Sequence, residues 1–283
     1  SNTAGSYNLL HSASVGDSMV LSSTLVNSVR ATINWMHVKR YQNPLFQPSD
    51  VGIKLYSYAP GAQFPVTVNN AFSLQSGQAT KREEFNTVYA GSDDLTLVKG
   101  SHQLGFGGII QFWHGNFTSS SRTGGNWIVD GHVTGSPLAD FMIGRIATVE
   151  HGGPNILNIK NWYAGFYGQD SWRAGSRVTV NAGLRWEPYF GQHVVNNAVT
   201  IFVMDNFLKN VHSTVFHDAP AGLIYPGDPG FPKGNTGLNT QWSNLSPRVG
   251  VAWDVRGDGR LAVRSSYSVG YDFMSGEYHN INA

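Results

Sequence analysis

The sequence predicts an all-β protein: an antiparallel up-and-down transmembrane β-barrel segment of about eight long strands, with short periplasmic turns and long extracellular loops. Three observations predict it. Apolar and polar residues alternate over segments longer than a globular strand. Tight turns and very long loops follow one another as connections. Aromatic residues recur at similar distances from the tight turns.

Strands are expected at residues 17–23, 26–40, 84–98, 101–114, 158–173, 177–190, 245–255 and 259–273. The first closes on the turn Ser23-Thr24-Leu25. In the second, Val29, Ala31, Ile33 and Trp35 share one face and Arg30, Thr32 and Asn34 the other. The third ends at Lys99-Gly100-Ser101, and the fourth sets Leu104, Phe106, Ile110 and Phe112 against Gln103, Gly105, Gly107 and Gln111. Aromatics sit on both faces of the fifth, so alternation does not assign its sides. After Ala174-Gly175-Ser176, the sixth opposes Val178, Val180, Ala182, Leu184 and Trp186 to Thr179, Asn181, Arg185 and Glu187. Across Arg256-Gly257-Asp258-Gly259, the last two set Val249, Val251, Trp253, Val263, Tyr267 and Tyr271 against Arg248, Asp254, Arg264 and Asp272. Glycine in three of the four turns suits hairpin geometry. The opposite connections, roughly residues 42–82, 115–157 and 191–244, are rich in Gly, Pro, Asn and Ser and read as loops. Within one of them, residues 136–144 read as a short helical turn with Ser136 as cap and Pro137 at its first position.

A tilted strand climbs roughly 2.3 Å of membrane normal per residue, so ten to thirteen residues cover about the ~25 Å apolar band between aromatic girdles. Trp35, Phe112, Trp113, Trp162, Trp186 and Tyr271 lie at that separation from their turns, as an outer girdle requires. Trp172 and Trp253 lie near the turns, where an inner girdle belongs.

Composition agrees. Only 13% of the 283 residues are charged and the net charge is +1, which leaves no field to recruit nucleic acid. There is no Cys, so disulfides and thiolate chemistry are excluded. No apolar run approaches the ~20 residues of a membrane helix, and the first residues do not read as a signal peptide. Chemistry-bearing constellations are also missing. Asp93-Asp94 and Glu83-Glu84 are adjacent pairs flanking a strand, so their members face opposite sides and read as solvated rim charges. The ten His are scattered without metal-ligand spacing, no nucleophile elbow occurs, and Gly105-Phe106-Gly107-Gly108 lies inside a strand rather than before a helix. The expectation is a protein that is not an enzyme and has no cofactor or metal. On this register Arg30, Arg185, Glu187, Arg248, Asp254, Arg264 and Asp272 face the lumen, where function would lie.

Several strings carry a resemblance: GSPLADFMIG (135–144), WYAGFYGQDSWRAGSRVTVNAGLRWEPY (162–189), PAGLIYPGDPGFP (220–232) and NLSPRVGVAWDVRGDGRLAVRSSYSVGYD (244–272). Together they resemble the barrel of Oar-like TonB-dependent receptors, in the expected order over most of residues 17–273. The resemblance implies a cell outer-membrane location in a Gram-negative bacterium. It also implies a parent barrel of about 22 strands around a plug domain, importing a bulky substrate with energy from TonB. The partners it implies are outer-membrane lipid, the parent's plug, TonB through that plug, and an unknown substrate at the extracellular loops. The chain has no plug or TonB-contacting segment and does not end on a terminal aromatic, so residues 1–283 read as an internal piece of the barrel domain. Two other functions fit the same pattern: a passive porin or structural barrel, and a soluble β-rich carbohydrate-binding module.

Overall fold

In a computed structural model, residues 4–42, 46–56, 58, 64–74, 82–120 and 122–272 are described. Among them the main sheet has nine strands, eight of them in one path: β1 (Ala4–Ser22), β2 (Leu25–Gln42), β5 (Arg82–Lys99), β6 (His102–Ser119), β9 (Asn155–Arg173), β10 (Val178–Trp186), β14 (Leu245–Asp254) and β15 (Ala262–Ser268); the two-residue β11 (His193–Val194) pairs with β9 beside it. Each of the eight pairs with its successor in the order β1-β2-β5-β6-β9-β10-β14-β15, an antiparallel up-and-down sheet. The strand order and the tight turns are those expected, and most strands lie where alternation places them.

The first five wall strands are 18 or 19 residues long. At roughly 2.3 Å per residue they rise about 41–44 Å, well beyond the ~25 Å apolar band. β1 begins at Ala4 rather than near residue 17. Its first half mixes Tyr7, Leu9 and His11 with Ser and Asn, so alternation is weak there and pairing with β2 supplies the order. β15 stops at Ser268, short of the expected 273, and Tyr271 and Asp272 lie past its end.

The long connections are more than loops. Between the wall strands lie β3 (Val66–Val68), β4 (Phe72–Leu74), β7 (Asn126–Val129), β8 (Thr148–Glu150), β11 (His193–Val194), β12 (Ile201–Phe202) and β13 (Leu223–Ile224). A 3-10 turn (Pro48–Val51) and two helices, α1 (Pro137–Met142) and α2 (Met204–Leu208), accompany them. β4-β3-β7-β8 form a second, four-stranded sheet, in which β3 and β7 run parallel with Val66 opposite Trp127. Its buried core is Phe64, Val66, Val68 and Val129, with Phe72, Trp127 and Phe141 packed against it. The Ser136 hydroxyl caps α1 by accepting from the Ala139 amide, with Pro137 at the first position as expected.

The chain divides into two compact units. One holds residues 1–11, 35–86 and 115–158, including the four-stranded sheet. The other holds 12–34, 87–114 and 159–283, including the tight turns. Among the described residues no helix is long and apolar enough to cross a membrane.

Candidate functional site: the polar face of the wall

Alternation gives the main sheet one apolar and one polar face, and side-chain hydrogen bonds identify the polar one. Ser14 Oγ lies 3.0 Å from Thr32 Oγ1, Ser18 Oγ 3.1 Å from Ser28 Oγ, and the Ser12 hydroxyl donates to Asn34 Oδ1 at 2.6 Å. These are cross-strand bonds between small hydroxyl and amide side chains.

Further along this face, glycine controls the arrangement. The Tyr167 hydroxyl on β9 donates to Asp94 Oδ1 on β5 at 2.6 Å, reaching across β6. It can do so because Gly107 lies beneath: a Cβ there would collide with Asp94 Oδ1 and meet Tyr167 Cε1 at 2.7 Å. Asp94 is therefore a bonded member of the wall, and so are the two glutamates. On the opposite face, beside Trp35 and Phe85, His37 Nε2 sits 3.0 Å from Glu83 Oε1, while on this face Arg82 donates to Glu84 at 3.0 Å. These four carboxylates, expected as solvated rim charges, all lie within β5, which starts at Arg82 and extends to Lys99. Asp93 alone, on the opposite face to Asp94, bonds no side chain among the described residues.

A second cluster joins Arg185, Glu187 and Tyr163. Arg185 Nε is 2.8 Å from Glu187, its Nη2 donates to the Tyr163 hydroxyl at 2.9 Å, and that hydroxyl donates to Glu187. Gly165 makes room, since its Cβ would lie 2.6 Å from Arg185 Nη2. Arg185 and Glu187 thus neutralise each other within the wall.

The third feature is a hollow of about 510 Å³ on β6, β9, β10, β14 and β15, bordered by Gln103, Gln169, Ser171, Asn181, Arg248 and Ser266. Gly183 stands opposite Arg248 and Asn181 opposite Gly250 in the β10–β14 ladder. A Cβ on Gly183 would meet Gln169 Cβ at 3.1 Å and Arg248 Cγ at 3.2 Å, so its absence lets both side chains lie across β10. No carboxylate lies within 4.0 Å of Arg248 among the described residues.

The remaining residues expected on the lumen face fall elsewhere. Arg30 and Arg264 are exposed, Arg264 paired with Ala252 in the ladder, and neither is ion-paired among the described residues. Asp254 acts locally. Its carboxylate accepts from the Gly257 amide at 2.8 Å and the Gly259 amide at 2.9 Å, which closes the β14–β15 turn. Asp272 lies past the end of β15.

Aromatic side chains pattern the apolar face. Phe112 and Trp162 approach at 4.8 Å, Trp186 lies 6.0 Å from Phe166, and its indole donates to the Trp242 carbonyl at 2.7 Å. Trp35 stacks with His11 at 5.5 Å. Near the tight turns Trp172 stacks on His102, whose Nδ1 lies 2.7 Å from Asp170. Trp253 and Val263 are paired and exposed. Trp113 departs from the expected girdle: one continuous strand puts Phe112 and Trp113 on opposite faces, so Phe112 belongs with the apolar face and Trp113 with the polar one. Tyr271 is 49% exposed and lies beyond its strand. A wider hollow of about 1140 Å³ opens on the apolar face between residues such as Val29, Ile33, Tyr89, Phe106 and Trp162.

Two loop carboxylates carry no signal in the sequence. Asp228, within the Pro226-Gly227-Asp228-Pro229-Gly230 run, is buried and accepts from the Ser213 hydroxyl at 2.6 Å, the Thr214 amide at 2.6 Å and the Tyr225 amide at 2.9 Å. Burial alone would raise its pKa, but the Ser213, Tyr225 and Thr214 donors outweigh it and hold the carboxyl far below the ordinary range. Asp140 is fully buried in α1 and accepts from the Val133 and Thr134 amides. Its pKa is lowered too, the donors overcoming burial. Asp140 stands near Asp130 and His132, a set whose ligand atoms lie within 4.8 Å of one another. Asp130 Oδ1 already receives both the amide and Nδ1 of His132. These bonds tie His132 to Asp130 within the loop. Sequence spacing does not disclose the group, because the i, i+2 pair and Asp140 belong to a loop whose return path only folding defines.

A family model described as outer membrane beta barrel domain matches residues 2–283. No curated protein matches the chain. Among solved structures, the open form of the ferric-catecholate import receptor Fiu from E. coli is similar at 13% identity and a TM-score of 0.41, over 93% of this chain. The chain spans 35% of the length of that receptor.

Proposed function

Because the chain belongs to the outer membrane beta barrel domain family, and so lies in the outer membrane, we propose that it forms barrel wall in a TonB-dependent transporter taking up a bulky substrate. The observation that carries this reading is the folded mass in the long connections. Strands rising about 41–44 Å outrun the ~25 Å apolar band. The segments they carry build a four-stranded sheet with its own core. Capture of a large solute needs a shaped outer surface, which such folded segments can supply. The polar face also suits a wall around an occupied lumen, since some of its charges are neutralised in place, as in Arg185–Glu187. Its partners on this reading are lipid on the apolar face, a plug in the lumen, TonB acting through the plug, and substrate at the outer segments. On the same reading the chain catalyses no reaction. The soluble binding module is set aside by the outer-membrane family assignment.

The test is uptake in cells that express the protein. Transport of a solute dependent on this protein should stop when TonB is deleted or the proton gradient is collapsed. Unchanged uptake under both conditions would establish the passive porin instead.

A further inference from the structure

The hollow on β6, β9, β10, β14 and β15 gathers unbonded polar side chains in one place. Elsewhere on the polar face many side chains bond one another, as in Ser14–Thr32, Asp94–Tyr167 and Arg185–Glu187, although Arg30 and Arg264 are not ion-paired among the described residues. Inside the hollow, the side chains of Gln103, Gln169, Ser171, Asn181, Ser266 and Arg248 bond no other side chain among the described residues. Five uncharged groups that can each donate or accept surround one guanidinium; the one carboxylate in the lining, Asp170, is engaged by His102 Nδ1 at 2.7 Å, and none lies within 4.0 Å of Arg248 among the described residues.

The glycines hold this arrangement open. Gly105 and Gly183 lie under the Gln169 side chain, where a Cβ would come within 3.2 and 3.1 Å of it. Gly250 stands opposite Asn181 with only ordinary contact around a Cβ, the Ser265 carbonyl and Ser266 Cβ each at 3.5 Å. The space of about 510 Å³ is within the range of a small-molecule site.

We propose that this hollow binds a small hydroxylated carboxylate, a solute of the sugar-acid class. The single unpaired guanidinium selects one carboxylate, which it can hold through two parallel hydrogen bonds. Amides and hydroxyls that both donate and accept match the vicinal hydroxyl groups of a polyol. A multiply charged anion would find only one cation here, and an apolar solute would leave every polar group unsatisfied. The inference rests on the polar face being the water-filled side of the wall, and it is independent of energised transport.

The experiment titrates the full chain in detergent micelles with gluconate, with glucose and acetate as separate arms, and reads affinity by ligand-observed NMR. Charge-assisted hydrogen bonds set the expected difference: gluconate should bind roughly tenfold or more tightly than either comparison solute. Arg248→Gln should bring gluconate down to the affinity of glucose, and Arg248→Lys, which keeps the charge without the fork, should fall between. Gly250→Val, whose Cβ is accommodated while its methyls fill the floor, should weaken gluconate and glucose together. It also keeps the test intact if Arg248→Gln does not fold. Arg264→Gln, on the same face outside the hollow, should change nothing. Equal affinity for gluconate and glucose overturns the proposal, as does unchanged gluconate binding in folded Arg248→Gln or Gly250→Val. That outcome would leave TonB-dependent uptake standing, and loss of TonB dependence would leave the binding result standing.

Discussion

A methyl group on Gly107 would collide with the Asp94 carboxylate and sit 2.7 Å from the Tyr167 ring, so the hydrogen bond over it could not survive in place. Gly107→Ala should destabilise the wall by about 1–3 kcal/mol, as overpacking does. Gly91→Ala, with nothing within 4 Å, should cost well under half of that. Folding titrations in lipid vesicles measure both, and equal costs would show that the glycine is not there to clear the Tyr167 ring. Asp228 makes a prediction about pH. Its folded-state pKa is depressed, so the stabilisation it gives is complete above the ordinary carboxylate value of about 3.9 and is lost as pH falls through the lower folded value. Amide exchange at Thr214 and Tyr225, whose amides donate to this carboxylate, should be equally protected at pH 7 and pH 5 once corrected for intrinsic rate. In Asp228→Ala that protection should be gone at both values. Neither residue stands out in the sequence. Gly107 reads only as a small residue in a strand, and Asp228 as turn chemistry, because what each does depends on side chains distant along the chain.

Among the elements, the β14–β15 hairpin is closed by a side chain and two left-handed glycines. Gly257 and Gly259 have φ of +76° and +73°, and their amides both point at Asp254. Asp254→Ala should cost about 1–3 kcal/mol, because two amides lose a charged acceptor, while Asp254→Asn should retain part of it. Equal stability of parent and Asp254→Ala in vesicle unfolding would return Asp254 to a purely lumenal role. The strands themselves are legible from period-two alternation, and β5 and β6 match expectation to within a few residues. The small strands are not. β3 is three residues long and β13 two, too short for any periodicity, and β3 pairs with β7 across the intervening wall strands β5 and β6. Val66, Val68 and Val129 form a core only after that non-local pairing, so each segment alone reads as loop.

For the whole molecule, the two-faced sheet makes a prediction about depth. Trp162, Trp172 and Trp253 are 55%, 41% and 46% exposed on the apolar face, so lipid should reach all three indoles. In single-Trp variants reconstituted with lipids brominated near the headgroup or at the chain centre, headgroup-proximal bromine should quench each of these more strongly. A variant retaining only Trp113 should be quenched least by either lipid, because its strand turns it to the polar side. Strong quenching of Trp113 alone would reverse the faces. The order also leaves β1 and β15 at the two ends of the sheet among the described residues.

By itself the sequence determined the fold class, the sequential strand order, the tight turns and which residues share a face. All of these follow from local chemistry: a two-residue period, glycine where φ is positive, and Trp or Tyr at the membrane interfaces. Tertiary structure alone decided which polar residues are already satisfied. Arg185 and Arg248 are both arginines on the polar face, yet one is neutralised by Glu187 and Tyr163 while the other stands in an open hollow. Alternation places a side chain on a face, but the partner it meets depends on the register of neighbouring strands and on the glycines between them. Those strands can be far apart in sequence, as β10 and β14 are, so no reading of one segment contains the pairing.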